Sequence, residues 1–166
     1  MSNISMTTSK RNAIVTVMLI SAFVSMLNQT ILNTALPAII KGLNITETTA
    51  QWLITGFMLV NGIMIPLTAF LMDKYSTRHL YIFSMAIFLL GSIVAAFSPT
   101  FSILMISRII QAIGAGILLP LMQFTVFTLF PAEQRGFAMG LAGVVVQSAP
   151  AIGPTLTGLF LSLIHI

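Results

Sequence analysis

The sequence alternates between long apolar runs and short segments that hold most of its charged and turn-forming residues. A bilayer core about 30 Å thick needs roughly 20 consecutive apolar residues in a helix. Five runs of this length are present, and we predict a transmembrane helix in each, at about residues 12–35, 48–72, 80–97, 101–129 and 136–164. Charged residues occupy only 6% of the 166 positions, too few to solvate a water-soluble domain. Because alternation with period two is absent, the predicted fold class is all-α, a polytopic transmembrane helix bundle.

The placement of positive charge predicts the orientation of this bundle. The basic residues that flank the runs lie mainly on one side of the predicted membrane: Lys10, Arg11, Lys74, Arg78 and Arg135. The positive-inside rule therefore makes residues 1–11 a cytoplasmic tail of a multi-pass protein, and we expect a bacterial plasma membrane. A cleaved signal peptide is the alternative for the first run, but apolar residues continue beyond Pro37, where we expect the first helix to stop, and similar runs follow.

Several function classes are excluded by what the sequence lacks. The few basic residues are scattered rather than clustered, so no nucleic-acid partner is expected. Cysteine is absent and the two histidines are far apart in sequence, so no metal site is expected. The acids are only Glu47, Asp73 and Glu133, all at or outside the predicted interfaces, and no pair shares a helix face. We therefore expect the protein not to be an enzyme.

Arg108 lies well inside the fourth apolar run, where a charged side chain costs about 2.5–3.5 kcal/mol on the insertion scale. Ala115 and Gly116 lie on or near its helical face, and Gln111 follows one turn later. Small residues allow another helix to approach closely, so we predict that the guanidinium points into the bundle and has a functional role. The alternative is an arginine that extends towards the outer interface, because the run begins nearby at Phe101.

The fifth run carries two adjacent stripes of small residues and prolines. One stripe consists of Ala149, Gly153 and Thr157, and the other of Pro150, Pro154 and Gly158. Each proline removes a backbone donor, and lipid tolerates the resulting free carbonyl only beside another helix or a wet cavity. The stripes indicate either tight helix packing or a hinge or gate, and the double proline favours the hinge or gate.

The first run carries a stripe of uncharged polar residues, which consists of Ser21, Ser25, Asn28, Gln29 and Asn33. Such residues inside a membrane helix either hydrogen-bond to a neighbouring helix or line the path of a ligand. The stripe by itself does not distinguish these two roles.

Four short motifs follow one another in the order of the predicted helices. Residues 27–37 (LNQTILNTALP), 71–78 (LMDKYSTR) and 108–114 (RIIQAIG) resemble motifs of the major facilitator superfamily, in its fourteen-helix drug:proton antiporter branch. The second is a gating loop in the family, here with Asp73, Lys74 and Arg78, and the third carries an arginine tied to proton coupling. The fourth resembles the antiporter motif of helix five, at Gly140, Ala149, Gly153, Pro154 and Gly158.

The resemblance implies that the chain is a partial N-terminal half of this fold, an N-terminal fragment of a longer transporter. Its expected partners are membrane lipids, a small amphipathic substrate and the missing C-terminal helices of the same parent protein. The implied function is proton-coupled multidrug efflux, driven by a proton gradient and without a cofactor. Arg108 and Gln111 would form the coupling site, and the substrate path would include Ser25, Asn28, Gln29 and Asn33.

Some departures from the family pattern limit this interpretation. Asn28 stands where the branch usually has aspartate, so any acidic proton carrier is expected beyond Ile166. Ser76, Ala112, Ala149 and Thr157 replace motif glycines. Two other functions remain open. The parent protein could export a specific metabolite, such as an amino acid, peptide or siderophore, or the chain itself could be a non-transporting or inert membrane fragment.

Overall fold

Five long α-helices make up almost the whole chain. The computed structural model describes the backbone of residues 7–164 and the side chains of residues 7–159. The helices are α1 (Thr8–Leu43), α2 (Glu47–Lys74), α3 (Thr77–Ala96), α4 (Phe101–Leu129) and α5 (Ala132–Ile164). Each is long and apolar enough to cross a membrane, and no strand occurs between residues 7 and 164. The predicted fold class, an all-α transmembrane bundle, is confirmed.

The ends of the helices differ from the sequence prediction in several places. The helix α1 continues through Pro37 to Leu43, so the prediction that it stops at this proline is wrong. Proline removes one backbone hydrogen bond, but the helix continues to Asn44, whose left-handed conformation (φ 51°) ends it. Residues 8–11 of the predicted tail are also helical. The connections between helices are short, and consecutive helices are therefore antiparallel.

The centre of the bundle is α4. It packs against α3, α2 and α1, while α1 also packs against α5. In the most apolar stretch of α4, 56% of the residues are buried inside the bundle, whereas in that of α3 only 22% are. Residues of α4 such as Ile117, Leu121 and Val126 have no exposed surface. The sequence signature of α4, with small and polar residues on several faces, is that of a helix surrounded by other helices.

The backbones of α3 and α4 approach each other closely because glycine lies at the contact. A Cβ atom at Gly91 would lie 2.8 Å from the backbone nitrogen of Gln111 and 3.0 Å from the carbonyl oxygen of Ser107. A Cβ atom at Gly114 would lie 2.6 Å from the carbonyl oxygen of Ser84. Two glycines on opposite helices thus bring α3 against the part of α4 that carries Arg108.

Candidate functional site

Arg108 is fully buried at the centre of the bundle. Its Nη1 donates a hydrogen bond of 2.9 Å to Oε1 of Gln111, one turn later on α4. The same nitrogen donates to Oδ1 of Asn28 on α1, at 3.3 Å. The prediction that the guanidinium points into the bundle is confirmed, and the alternative of an arginine extended to the interface is wrong. Its role in coupling stays a prediction.

Two further residues complete the surroundings of Arg108. The guanidinium carbon lies 4.2 Å from the ring centroid of Phe57 on α2, a cation–π contact. Nε2 of Gln111 donates to Oγ of Ser92 on α3, at 3.1 Å. Residues from α1, α2, α3 and α4 therefore meet in one polar group, which we call the Arg108 cluster: Asn28, Phe57, Ser92, Arg108 and Gln111.

The sequence did not reveal Phe57 or Ser92 as members of this cluster. Phenylalanine and serine are common in membrane helices, and neither belongs to a motif. Ser92 follows Gly91, the glycine that brings α3 to the backbone of Gln111. This neighbouring glycine is the only local signal that could have indicated its place.

Within the part of the chain that the structure describes, Arg108 contacts only neutral polar and aromatic groups and has no carboxylate beside it. Its acceptors are side-chain amides, and a phenylalanine ring covers its face. Nε and Nη2 of Arg108 are buried and have no hydrogen-bond partner among the described residues. Because a buried donor without an acceptor is costly in a low-dielectric interior, Nε and Nη2 are the two atoms of the cluster that a further acceptor would stabilise most.

The polar stripe of α1 divides between several environments. Ser25 is buried, Asn28 and Gln29 are half-buried, and Asn33 is exposed. Oγ of Ser21 donates to the carbonyl of Val17 at 2.9 Å and lies 2.5 Å from the hydroxyl of Tyr81 on α3. Asn28 alone among the predicted path residues hydrogen-bonds to Arg108 in the described structure. The stripe therefore includes contacts between helices, and its role as a substrate path stays a prediction.

The antiporter motif of α5 also divides into two faces. Ala149 and Gly153 are buried, and a Cβ atom at Gly153 would lie 2.6 Å from Cγ2 of Thr30 on α1. Gly140, Pro154 and Gly158 lie on another side of the helix and are exposed. We call this side the open face of α5: Gly140, Gln147, Pro154 and Gly158. Among the side chains that the structure describes, nothing lies within 4 Å of a Cβ atom built at Gly140 or Gly158.

The residues of the predicted gating loop lie at the turn between α2 and α3. Asp73, Lys74 and Arg78 are all exposed. Nζ of Lys74 lies 4.4 Å from the ring centroid of Phe70, one turn earlier on α2. The structure therefore places these residues at the end of the bundle rather than in the Arg108 cluster.

Comparison with known proteins shows a clear family likeness. The family model of the Major Facilitator Superfamily matches residues 18–166. The uncharacterized MFS-type transporter YcnB of Bacillus subtilis is 55% identical over 148 residues, which cover 89% of this chain. The lincomycin resistance protein LmrB of Bacillus subtilis is 47% identical over 144 residues (87% of this chain). The probable multidrug resistance protein EmrY of Escherichia coli is 35% identical over 139 residues (84% of this chain).

These relatives are much longer than this chain. The matched region spans 31% of YcnB, 30% of LmrB and 27% of EmrY. The Arg108 cluster, whose five residues lie between positions 28 and 111, falls within the matched family region.

Proposed function

The chain belongs to the major facilitator superfamily, and we propose that it contributes the first helices of a proton-coupled exporter of amphipathic drugs. The named functions of LmrB and EmrY, lincomycin resistance and multidrug resistance, support a drug-like cargo. In this proposal the protein is a transporter rather than an enzyme, and a proton gradient drives it. The chain acts together with further helices of a longer parent protein.

The observation that carries the proposal is the buried guanidinium of Arg108. Ionisable residues inside a membrane protein are costly, and they commonly mark substrate or ion pathways. Arg108 hydrogen-bonds to Asn28 on α1 and to Gln111, which in turn hydrogen-bonds to Ser92 on α3. The ring of Phe57 on α2 lies against the planar face of the guanidinium. A change of charge or hydrogen bonding at this point therefore acts on the contacts of four helices at once.

The two unpartnered donors of Arg108 provide a means of coupling. In this proposal the helices around Arg108 separate during transport, so that the buried Nε and Nη2 become accessible to a carboxylate of the parent protein, which binds them when it is ionised and leaves them when it is protonated. Asn28 cannot take this part, because its amide does not ionise. The proton carrier is therefore assigned to a residue outside this chain, and Arg108 to its electrostatic partner.

The open face of α5 supports the involvement of a second group of helices. Small residues allow close helix contacts in membranes, and such transporters work by rocking one helical bundle against another. Gly140 and Gly158 are open on the outside of this chain, whereas Gly153 is already in contact with α1. We assign the open face to the moving contact between the two halves of the parent protein.

Several of the basic residues from which the membrane orientation was predicted lie at the same end of the bundle. Arg11 lies with its guanidinium carbon 4.3 Å from the ring centroid of Phe130, and Nε of Arg135 donates to the carbonyl of the same residue at 3.0 Å. The start of α1 and the connection from α4 to α5 therefore lie together. By the positive-inside rule we assign this end to the cytoplasm of a bacterial cell.

The test is drug efflux against a pH gradient by the full-length parent protein in vesicles. We expect Arg108→Ala to lower coupled efflux more than tenfold, because the site loses its buried charge and the contacts of Arg108 with α1 and α2. Gln123→Ala is the matched control, since Gln123 is an exposed residue of the same helix. Undiminished coupled efflux with Arg108→Ala contradicts the assigned role. Export of one metabolite, with no change across a broad drug panel, contradicts the drug cargo.

A further inference from the structure

A half-open apolar cleft lies between α2 and α3 near the end of the bundle that carries the basic residues. The two helices are joined by a short turn at Tyr75 and Ser76, but each packs mainly on α4 and they touch each other little. The cleft has a volume of about 690 Å³, and its lining includes Leu71, Tyr75, His79, Ile82, Phe83 and Ala86. Sites for small molecules usually occupy about 300–1,000 Å³ and are lined mainly by apolar side chains.

The helix α2 has two exposed sides: one of them lines the cleft, and the opposite one carries small residues on which another helix could pack. Gly62, Pro66 and Ala69 form an exposed face of small residues, the type of face on which membrane helices dock. Leu71 follows Gly62 by nine residues, about two and a half helical turns, and therefore points the other way. The walls of the cleft are bulky, with Ile82 and Phe83 each 54% exposed. A flexible hydrocarbon chain fits such walls better than a helix does.

Two exposed basic residues, Lys74 and Arg78, flank the end of the cleft near the α2–α3 turn, next to the lining residues Tyr75 and His79. Arg78 is exposed and lies one turn before Ile82, so both are on the side of α3 that faces the cleft. Exposed Lys74 precedes Tyr75 on the other wall, and its Nζ, which lies over the ring of Phe70, must turn away from that ring to reach a headgroup. The nearest acid, Asp73, lies eleven residues after Gly62 and so on the small-residue face of α2, away from the cleft.

We propose that this cleft binds one phospholipid with an anionic headgroup. One acyl chain lies in the cleft between α2 and α3, and the headgroup phosphate interacts with Arg78 and Lys74 at its charged end. Tyr75 and His79 line the same end; because Nδ1 of His79 already shares a hydrogen bond of 2.6 Å with Oγ of Ser76, its Nε2 and the hydroxyl of Tyr75 are the groups that can donate to phosphate oxygens. A zwitterionic lipid would fit the apolar part equally, so the positive end selects for net negative charge.

The test is lipid binding by the purified full-length parent protein, measured by native mass spectrometry. The protein is titrated with dioleoylphosphatidylglycerol and, in a parallel series, with dioleoylphosphatidylcholine. We expect one tightly held phosphatidylglycerol, and a binding constant about fivefold lower for Arg78→Gln, the loss expected for one basic residue near an anionic headgroup. Ala86→Trp, which fills the cleft, is expected to reduce the same adduct without any change of charge.

Two matched controls distinguish specific binding in the cleft from a general electrostatic attraction of the protein to anionic lipid. Lys10→Gln removes one positive charge from the same end of the bundle, and Ala96→Trp adds a tryptophan at the far end of α3; both side chains are exposed. Both variants should bind phosphatidylglycerol like the wild type. Equal losses for Arg78→Gln and Lys10→Gln, equal binding of both lipids, or no effect of Ala86→Trp would contradict the proposal. Because no transport is measured, its failure is distinguishable from failure of the proposed efflux function.

Discussion

The middle of α4 and the open face of α5 both carry residue types that are unusual in apolar helices, but their surroundings differ. Arg108 and Gln111 of α4 are buried and held by side chains from α1, α2 and α3. Gly140, Pro154 and Gly158 of α5 are exposed. The same α5 helix buries Gly153 against α1 on its other side.

From this difference we infer that such residues mark helix contacts, whether or not this chain supplies the partner. In lipid, association of helices depends on close packing and interhelical hydrogen bonds rather than on burial of apolar surface. Around α4 the chain supplies both the small residues and the hydrogen-bond partners. On the open face of α5 it supplies small residues without a partner among the described residues, and we propose that the second half of the transporter provides that partner.

The largest effect on the stability of the 166-residue chain is expected at the α3–α4 contact. Gly91→Val introduces atoms against the backbone of Gln111 and Ser107, which cannot move aside as a flexible side chain can. We expect a loss of about 3 kcal/mol in the free energy of unfolding, the upper end of the usual cost of overpacking. The measurement is unfolding of the purified chain in detergent.

Gly62→Val is the control for this variant, since nothing lies within 4 Å of a Cβ atom at Gly62 on α2. It should unfold within about 0.5 kcal/mol of the wild type, as surface substitutions usually do. If the two valine variants lose equal stability, the distinction between a glycine that packs on another helix of this chain and a glycine that does not is wrong.

A smaller effect is expected within α5, where two glycines on different faces can be compared directly. Gly153→Ala meets Cγ2 and Cβ of Thr30, a side chain that can partly adjust, so we expect a loss of about 1–2 kcal/mol. Gly158→Ala meets nothing within 4 Å and should leave the isolated chain unchanged. In the full-length parent protein, Gly158→Ala should instead reduce efflux. Loss of stability in the isolated chain with Gly158→Ala would contradict the comparison.

The smallest effect is expected from the outermost hydrogen bond of the Arg108 cluster. Ser92→Ala removes the acceptor of Gln111 Nε2 without changing any charge. Interhelical hydrogen bonds in membrane proteins contribute about 0.6 kcal/mol on average, and we expect a loss of this size. Ser102→Ala, at an exposed position at the start of α4, is the control. A loss above that of Gly91→Val would show that the cluster, rather than glycine packing, fixes α3 on α4.

The sequence predicted the helices well because each one needs a long apolar run, and a charge or turn ends most of them. It failed at Pro37, because a proline removes only one hydrogen bond and the residues after it remain compatible with a helix. It predicted the direction of Arg108 from its small neighbours. It did not predict Phe57 and Ser92, since their positions depend on how α2 and α3 pack on α4. The division of α5 into two faces likewise depends on which side α1 occupies.

The central claim is that the buried charge of Arg108 is retained for coupling rather than for stability. Arg108→Met in the full-length parent protein tests it most directly, with unfolding in detergent and pH-driven drug efflux measured on the same preparation. A buried arginine costs about 2.5–3.5 kcal/mol on the insertion scale, whereas hydrogen bonds such as the one that Arg108 donates to Asn28 contribute about 0.6 kcal/mol on average, so an apolar side chain of similar length removes more cost than stabilisation. We predict equal or greater stability together with a loss of coupled efflux. A parallel loss of stability and efflux would contradict the claim and make Arg108 a structural residue.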